Sequence, residues 1–255
     1  MKVVILAGGR GTRLGEETSV RPKPMVQVGD QPIIRYILEH YAHFGHTEFV
    51  IALGYKGNQV EEYLLDLQDR CRRGLEPPGP EEWVLDLVDT GLEPNTGGRV
   101  RRLAPYFEGE RFMLTYGDGV ADVDLDRLLA FHCSHGRLAT VTAVHPPPRF
   151  GQIHLNGDRV ERFDEKPMKE SLINGGYFVL EPDVVDLIDG DETSFEHDPL
   201  NRLVAREQLM AFRHDGFWQC MDTPREKEYL DSLWAAGDFR WAPWRTASTP
   251  SSAAP

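Results

Sequence analysis

Cysteine is scarce in this 255-residue chain: the three thiols are odd in number, lie far apart at Cys71, Cys133 and Cys220, and form no Cys-x-x-Cys pair. This spacing gives no metal-binding signature and is typical of reduced thiols in a cytoplasmic protein. No apolar run approaches the ~20 residues that a membrane-spanning helix needs. A predicted strand follows Met1-Lys2 directly, so we expect no signal peptide. The expectation is a cytoplasmic protein without a membrane partner.

Positive charge is also in short supply, because 28 lysines and arginines face 41 aspartates and glutamates and leave a formal net charge of -13. A nucleic-acid-binding surface needs a basic patch, so we expect no nucleic-acid partner. Any anion that binds here must depend on local cations and not on the overall field of the protein. With 40% hydrophobic residues, the chain is long enough for one large domain with a sizeable core.

Several familiar motifs are missing. The dinucleotide-binding fingerprint fails because Leu14 stands where a third glycine would follow, and because the second predicted strand ends in Gly54-Tyr55-Lys56 without an acidic residue. The chain has no Gly-Lys-Ser/Thr loop, no Gly-x-Ser-x-Gly elbow and no His-x-x-x-His pair beside a helical glutamate. A nucleotide site must therefore be built in another way.

A glycine-rich loop at Leu6–Arg13 follows the apolar run Val3–Leu6, which predicts a strand buried on both faces. Three glycines allow a tight turn and bring backbone N–H groups close to a ligand, as in an anion-binding concavity. Arg13 and the Pro22-Lys23-Pro24 segment add positive charge. We interpret this stretch as a phosphate-binding loop. The alternative is a strand-to-helix turn without a ligand, but such a turn needs neither Arg13 nor the clamped lysine.

Predicted strands and amphipathic helices alternate through the first half of the chain. The strand candidates are Val3–Leu6 and Phe49–Leu53, both predicted to be buried, together with Trp83–Val88, Phe112–Tyr116 and Ala139–Val144. This alternation is typical of an open, mostly parallel sheet in an α/β protein. An antiparallel hairpin is predicted over Phe150–Phe163. We expect one domain over residues 1–241, with halves at about 1–145 and 146–241, followed by a mobile tail at 242–255.

Two further stretches carry candidate site residues. Asp118 follows a predicted strand between two glycines, where ligands bind in parallel sheets, and its carboxylate suits Mg²⁺; a plain Asp-Gly turn is the alternative. Thr96 is predicted to cap a helix that starts near Gly98, with Arg99, Arg101 and Arg102 on or near its first turn. Positive charge there opposes the helix dipole unless an anion binds. A solvated basic helix face is equally compatible with this pattern.

Taken together, the ordered motifs resemble those of the sugar-1-phosphate nucleotidylyltransferases, in particular the glucose-1-phosphate cytidylyltransferase branch. The resemblance covers nearly the whole chain. The matching blocks are Leu6–Arg13 with Lys23-Pro24, Glu16–Thr18, Gly54–Gly57, Val88–Gly91, Thr96–Arg99, Thr115–Asp122, Phe163–Pro167, Asn174–Gly176 and Gly216–Thr223.

This resemblance implies a Rossmann-like, three-layer α/β fold, with a mixed but mostly parallel sheet and an antiparallel sugar-binding subregion. It also implies a transfer from CTP to α-D-glucose 1-phosphate that gives CDP-glucose and pyrophosphate, with Mg²⁺ as cofactor and a homo-oligomeric assembly. CDP-glucose is an entry point to deoxysugars. The alternatives are a thymidylyl- or uridylyltransferase and a non-catalytic nucleotide-sugar-binding protein.

The same resemblance assigns roles to individual residues. The resemblance assigns catalysis to Arg13, Lys23 and Asp118, and it assigns metal binding to Asp118 and Asp222. The CTP site takes Leu6, Ala7, Gly8, Gly9, Gly11, Thr12, Arg13, Lys23, Arg99 and Gly117. The sugar-phosphate site takes Glu165, Lys166, Asn174 and Gly175.

Three features depart from the branch pattern. Pro94 stands where a small hydroxyl residue is usual, and Cys220 replaces a proline before Met221. The excursion from Arg70 to Glu82 is shorter than in the enterobacterial enzymes, where it contributes to a hexamer. The shorter excursion leaves the assembly of this chain open.

Overall fold

The computed structural model describes residues 1–107, 109–147, 152–164 and 171–246. The strands, in chain order, are β1 (Val3–Leu6), β2 (Gln27–Val28), β3 (Gln31–Pro32), β4 (Glu48–Leu53), β5 (Val84–Asp89), β6 (Phe112–Tyr116), β7 (Gly119–Ala121), β8 (Ala139–Val144), β9 (Gln152–Asn156), β10 (Arg159–Asp164), β11 (Ile173–Leu180), β12 (Leu209–His214) and β13 (Trp218–Cys220). The helices are α1 (Glu16–Val20), α2 (Ile33–His43), α3 (Gly57–Arg72), α4 (Thr96–Leu103), α5 (Leu125–His135), α6 (Asp198–Ala205), α7 (Pro224–Ala235) and α8 (Pro243–Thr246).

Seven strands form one sheet in the order β12-β8-β11-β6-β1-β4-β5. The neighbouring pairs are parallel, except that β11 runs antiparallel to both β6 and β8. Strand β1 lies between β4 and β6, so the loop that follows it leaves the carboxyl edge of the sheet near its middle. The predicted mixed, mostly parallel sheet is confirmed.

Strand β1 shows how the sheet is covered on both faces. Its side chains point alternately to opposite faces, as in any strand. Val3 and Ile5 belong to one hydrophobic core, together with residues of α2, α3 and α5. Val4 and Leu6 belong to a second core, together with residues of α4 and α6. The fold therefore has three layers, and the unbroken apolar sequence of β1 reflects burial on both sides.

Two antiparallel ribbons lie outside the main sheet. Strands β9 and β10 pair as a hairpin, which confirms the prediction for this stretch. Strands β7 and β13 pair as a second ribbon, with Gly119 opposite Cys220 and Ala121 opposite Trp218. This second ribbon brings the residues just after β6 next to residues about a hundred positions later.

Helix α4 begins earlier than predicted. Its first residue is Thr96 and its N-cap is Asn95, which makes no side-chain capping bond, so the prediction of a Thr96-capped helix from about Gly98 is wrong. The Thr96 hydroxyl instead accepts the backbone N–H of Phe195 at 2.9 Å. The first turn also donates backbone N–H groups to the carbonyl of Thr193. A distant loop thus provides hydrogen-bond partners for the first turn of α4. The local sequence pattern does not indicate these bonds.

The described chain keeps regular structure beyond residue 241. Ala242 is fully buried, and Pro243–Thr246 form α8. The rest of the predicted mobile tail lies outside the described residues. Among the helices of the described ranges, none is long and apolar enough to cross a membrane.

Candidate nucleotide and metal site

A cavity of about 470 Å³ opens at the carboxyl ends of β1 and β6. Ligands bind at this edge in open α/β sheets. All predicted nucleotide-site residues except Thr12 line it. The wall consists of Leu6, Ala7, Gly8, Gly9, Arg10, Gly11, Arg13, Lys23, Pro24, Leu92, Glu93, Pro94, Asn95, Thr96, Arg99, Tyr116, Gly117 and Asp118. Thr12 lies instead in a short 3-10 turn at Thr12–Leu14.

Hydrogen bonds from neighbouring residues hold the glycine loop in place. The carbonyl of Gly8 accepts the backbone N–H of Tyr55 at 3.1 Å. Gly11 has a φ of +61°, which a residue with a Cβ rarely adopts. The hydroxyl of buried Thr18 lies 3.1 Å from the Gly11 carbonyl and braces this turn. The carbonyls of Gly8 and Gly11 are thus bound to protein groups, so the loop has a fixed shape.

Arg99 forms part of the cavity wall, but its donors are used within the protein. Its guanidinium bonds to the carbonyl of Gly91 at 2.7 Å and to the hydroxyl of Thr90 at 2.6 Å. It also fills the space beside two glycines: an added Cβ would lie 2.3 Å from Arg99 Nη1 at Gly8 and 2.7 Å from it at Gly54. Burial lowers the pKa of this arginine. Arg99 therefore shapes the nucleotide side of the cavity.

The other two arginines of α4 turn away from the cavity. Arg102 forms a two-pronged ion pair with Asp191, with contacts of 2.6 and 2.9 Å. Arg101 donates to the backbone carbonyl of Asp189. Asp191 neutralises Arg102 and a backbone carbonyl binds Arg101, so the charge pattern of this helix does not by itself indicate an anion site.

The centre of the site is a cluster of four charged side chains. The Lys23 ammonium lies 2.5 Å from Asp118 Oδ2 and also contacts Asp222 Oδ1. Arg13 Nη1 lies 3.1 Å from Asp222 Oδ2. The Lys23 side chain is only 11% exposed, whereas that of Arg13 is 75% exposed. Burial alone would lower the pKa of Lys23, but Asp118 and Asp222 together raise it, so the ammonium stays charged. Two carboxylates from distant parts of the chain thus converge on the Lys23 ammonium.

The ribbon and a helix cap together fix Asp222. The backbone N–H of Met221 donates to the Asp118 carbonyl at 2.8 Å, which continues the β7–β13 pairing to the level of the carboxylates. Thr223 and Glu226 form a capping box at the start of α7. The Glu226 carboxylate also accepts the backbone N–H of Asp222 at 2.8 Å. Asp222 is therefore anchored on both sides.

Cys220 departs from the branch pattern without adding a reactive thiolate. Burial, followed by the charges of nearby carboxylates, raises the pKa of the Cys220 thiol to about 12. Its sulfur lies 3.8 Å from Glu226 Oε1. At neutral pH this residue is a thiol that packs beside the helix cap. Pro94, a second departure, lies in the cavity wall.

The donor set at the centre fits Mg²⁺. Asp118 and Asp222 supply two hard oxygen ligands, both of which contact the Lys23 ammonium in this structure, and Mg²⁺ usually takes one or two protein carboxylates and completes its shell with phosphate and water. Among the described residues, no group of three or more His, Cys, Asp or Glu side chains forms a closed metal cage. An open site of this kind is suited to a metal that a nucleotide brings with it.

The predicted sugar side is described only in part, because Glu165 and Lys166 lie outside the described residues. Asn174 lies on β11, and its amide nitrogen is 3.2 Å from the Tyr116 hydroxyl, at the cavity wall. Gly175 is tightly packed, since an added Cβ would lie 2.7 Å from Val144 Cγ1. Neither residue lines the cavity itself. Asn174 reaches the cavity through its contact with Tyr116, which is part of the wall.

Sequence reasoning missed a polar group next to these residues. The Tyr116 hydroxyl donates to Glu196 Oε1 at 2.8 Å, and the Thr96 hydroxyl donates to Glu196 Oε2 at 2.6 Å. Burial and the Glu196 charge raise the pKa of Tyr116 well above its usual range, so the phenol stays protonated. The position of Tyr116 just before Gly117-Asp118 was a usable signal. Nothing in the local sequence pointed to Glu196.

A glycine loop at the carboxyl edge of an open sheet, with convergent cations and carboxylates, defines a nucleotide-binding α/β protein built for phosphate chemistry. Residues 2–234 match the family described as nucleotidyl transferase. The chain belongs to the nucleotidyl transferase family.

Individual relatives refine this comparison. The chain is 47% identical over 256 residues to a glucose-1-phosphate cytidylyltransferase of Salmonella typhimurium, covering 96% of this chain and 100% of the relative. It is 37% identical to a probable glucose-1-phosphate cytidylyltransferase of Bacillus subtilis, again covering 96% of this chain and 100% of the relative.

Solved structures show the same fold. A UDP-glucose pyrophosphorylase complexed with UDP-glucose has a TM-score of 0.70 at 17% identity, covering 92% of this chain and 98% of that chain. HddC from Yersinia pseudotuberculosis, complexed with GMP-PN, has a TM-score of 0.68 at 22% identity, covering 91% of this chain and 99% of that chain. The Rossmann-like, three-layer architecture is confirmed.

Proposed function

We propose that this protein is a glucose-1-phosphate cytidylyltransferase, which transfers the cytidylyl group of CTP to α-D-glucose 1-phosphate and releases pyrophosphate. The observation that carries this proposal is the 47% identity to the Salmonella typhimurium enzyme of that name, over 96% of this chain and 100% of that enzyme. The cluster of Lys23, Asp118, Asp222 and Arg13 supports it, because it supplies charge where two polyanions must meet.

The reaction needs positioning and charge more than acid–base chemistry. A phosphate oxygen of the sugar phosphate attacks the α-phosphorus of CTP, and the bond from that phosphorus to the bridging oxygen of pyrophosphate breaks. The attacking oxygen is already ionised at neutral pH, so no general base is required. Stabilising the charge on the transferring phosphoryl group and on the leaving pyrophosphate is the main task.

The residues of this chain divide that task. In our proposal, the N–H groups of the glycine loop and the exposed Arg13 guanidinium hold the nucleotide phosphates, and the buried Lys23 ammonium faces the reacting phosphoryl group. Glu165, Lys166, Asn174 and Gly175 hold the sugar phosphate. Asp118 and Asp222 would hold Mg²⁺. When bound, Mg²⁺ neutralises phosphate charge and stabilises the leaving pyrophosphate.

The direct test is a matrix of nucleotides against sugar phosphates, read by pyrophosphate release. We expect turnover with CTP and glucose 1-phosphate, and kcat/KM for CTP well above the values for UTP and dTTP. A clear preference for dTTP or UTP would replace the cytidylyl assignment with one of those activities. No pyrophosphate release with any pair would favour a binding protein that has lost catalysis.

The setting of the enzyme is also a proposal. The scattered, unpaired cysteines favour a cytoplasmic location. A homo-oligomer rests on the sequence resemblance, and sedimentation analysis tests it. Residues 1–241 are proposed to act as one domain, with the nucleotide half at 1–145 and the sugar-phosphate half at 146–241.

A further inference from the structure

The β7–β13 ribbon carries the two candidate metal carboxylates at one end. Asp118 directly precedes β7, and Asp222 lies two residues after β13. Because the ribbon lies outside the seven-stranded sheet, the sheet's hydrogen bonds do not fix its position. Something else must hold its other end.

That other end is closed by a charged pair. The backbone N–H of Asp122, just after β7, donates to the Phe217 carbonyl at 3.1 Å. The Asp122 carboxylate lies 2.9 Å from Nε2 of His214, whose side chain is only 10% exposed. His214 is the last residue of β12, an edge strand of the main sheet. The pair therefore ties the ribbon to the sheet at the end opposite Asp118.

The turn between His214 and the ribbon is shaped around this pair. At Gly216, an added Cβ would lie 2.4 Å from Asp122 Oδ1 and 2.7 Å from His214 Cε1. A larger residue at position 216 would force the imidazole or the carboxylate to shift. Phe217 and Trp218 follow, and the Trp218 indole N–H donates to the Gly175 carbonyl at 2.7 Å. The ribbon thus contacts the sugar side of the site as well.

The surroundings of His214 favour its charged form. Burial lowers the pKa of His214, but the hydrogen bonds to Asp122 and to the Phe217 carbonyl, with the charges of Asp122 and Asp215, raise it overall. The buried imidazole of His40 lies nearby, and the positive charge of His214 lowers the pKa of His40. His145 lies 3.2 Å from Asp215 on the same side, and Arg240 interacts with Asp122.

We propose that His214 is a positioning residue: through Asp122 it fixes the ribbon and so sets where Asp118 and Asp222 meet the metal and the nucleotide phosphates. This inference rests on the proposed function. Asp122 lies four positions after Asp118, which is about 13 Å along an extended strand, so His214 acts through the backbone and not by contact.

The experiment measures how strongly Mg²⁺ and CTP favour each other's binding. Calorimetric titration of CTP with and without Mg²⁺ gives a coupling factor that needs no turnover. In His214→Asn, we expect this factor to fall about tenfold, the low end of the loss seen when an outer partner of a metal ligand is removed. CTP binding without Mg²⁺ should stay unchanged. Asp122→Asn should give the same loss from the other side of the pair.

The matched control is His132→Asn. His132 also pairs with a carboxylate, because it lies 3.2 Å from Glu181. Glu181 directly follows β11, which runs antiparallel to β6, so this pair lies at the opposite end of the strands from Asp118. Its variant should keep the coupling factor even if it is less stable. A fall below threefold in His214→Asn, or an equal fall in His132→Asn, overturns the proposal.

The pH dependence of the coupling factor supplies a second test. Since the folded pKa of His214 is raised, its charge is present at lower pH and is lost as pH rises through that value. The coupling factor should therefore decline with rising pH, and His214→Lys, which stays charged, should abolish the decline. A decline that persists unchanged in His214→Lys contradicts the proposal.

These outcomes separate this inference from the proposed function. If Asp118→Asn retains the wild-type coupling, the proposed metal site itself fails. If Asp118→Asn loses the coupling and His214→Asn keeps it, only the role of His214 fails.

Discussion

The ammonium of Lys23 is held by the backbone as well as by charge. Pro22 and Pro24 restrict the chain on either side, and a 3-10 turn over Lys23–Met25 fixes its direction. Lys23→Ala should lower kcat/KM by about two orders of magnitude or more, the scale of losing one preorganised charge donor. Steady-state kinetics with CTP tests this prediction. Lys227→Ala, which breaks an ion pair on α7, is the control, and near-normal turnover of Lys23→Ala would remove this lysine from the site.

At the residue scale, the sequence predicted the residues that line the cavity better than it predicted the contacts that each of them makes. Glycines after a buried strand, Arg13 and clamped Lys23 are local patterns with a direct physical meaning. Most of these residues line the cavity, as predicted. Arg99 was different, because its donors bind the carbonyls of a loop that folds back from the end of β5. Only the tertiary structure shows that its guanidinium fills the space left by Gly8 and Gly54.

At the element scale, α7 begins with a capping box that also holds Asp222. Glu226→Ala removes acceptors for the backbone N–H groups of Asp222 and Thr223. We expect a loss of about 1 kcal/mol in the free energy of unfolding, as for other lost helix caps, together with reduced turnover because Asp222 loses an anchor. Urea unfolding and kinetics measure the two effects. Glu228→Ala, on the exposed side of the same helix, is the control; equal effects in both variants would contradict the role of the cap.

The elements that sequence predicted best are those whose signal is local. Runs of apolar and β-branched residues predicted β1, β4, β5, β6 and β8 of the main sheet. The start of α4 was missed because the loop at 191–195 satisfies its first turn. The β7–β13 ribbon was also missed, since its strands have three residues each and lie far apart in sequence. Pairing between such short, distant strands leaves no periodic pattern.

At the scale of the whole molecule, one buried histidine makes stability depend on pH. His40 packs among the rings of Tyr41, Phe44, Tyr177 and Trp244. Burial lowers its pKa from 6.5 to about 4. Between these values the unfolded chain binds a proton that the folded chain does not, so stability falls as pH drops through this window, by about 3 kcal/mol.

Urea unfolding between pH 7 and pH 4 measures this loss. In His40→Leu, the part of the slope due to His40 should disappear, whereas the exposed His197→Asn should retain it. An unchanged slope in His40→Leu would show that other groups cause the acid sensitivity.

The convergence of Asp118 and Asp222 on the nucleotide phosphates is the central claim, and a crystal structure with CTP and Mn²⁺ tests it most directly. Mn²⁺ replaces Mg²⁺ at oxygen sites and can be located by its anomalous scattering. We predict one ion with carboxylate oxygens of both aspartates within about 2.2 Å, or joined to it by one water, and with CTP phosphate oxygens completing its shell. An ion bound to CTP but distant from both carboxylates, or CTP bound away from the glycine loop, would contradict this account.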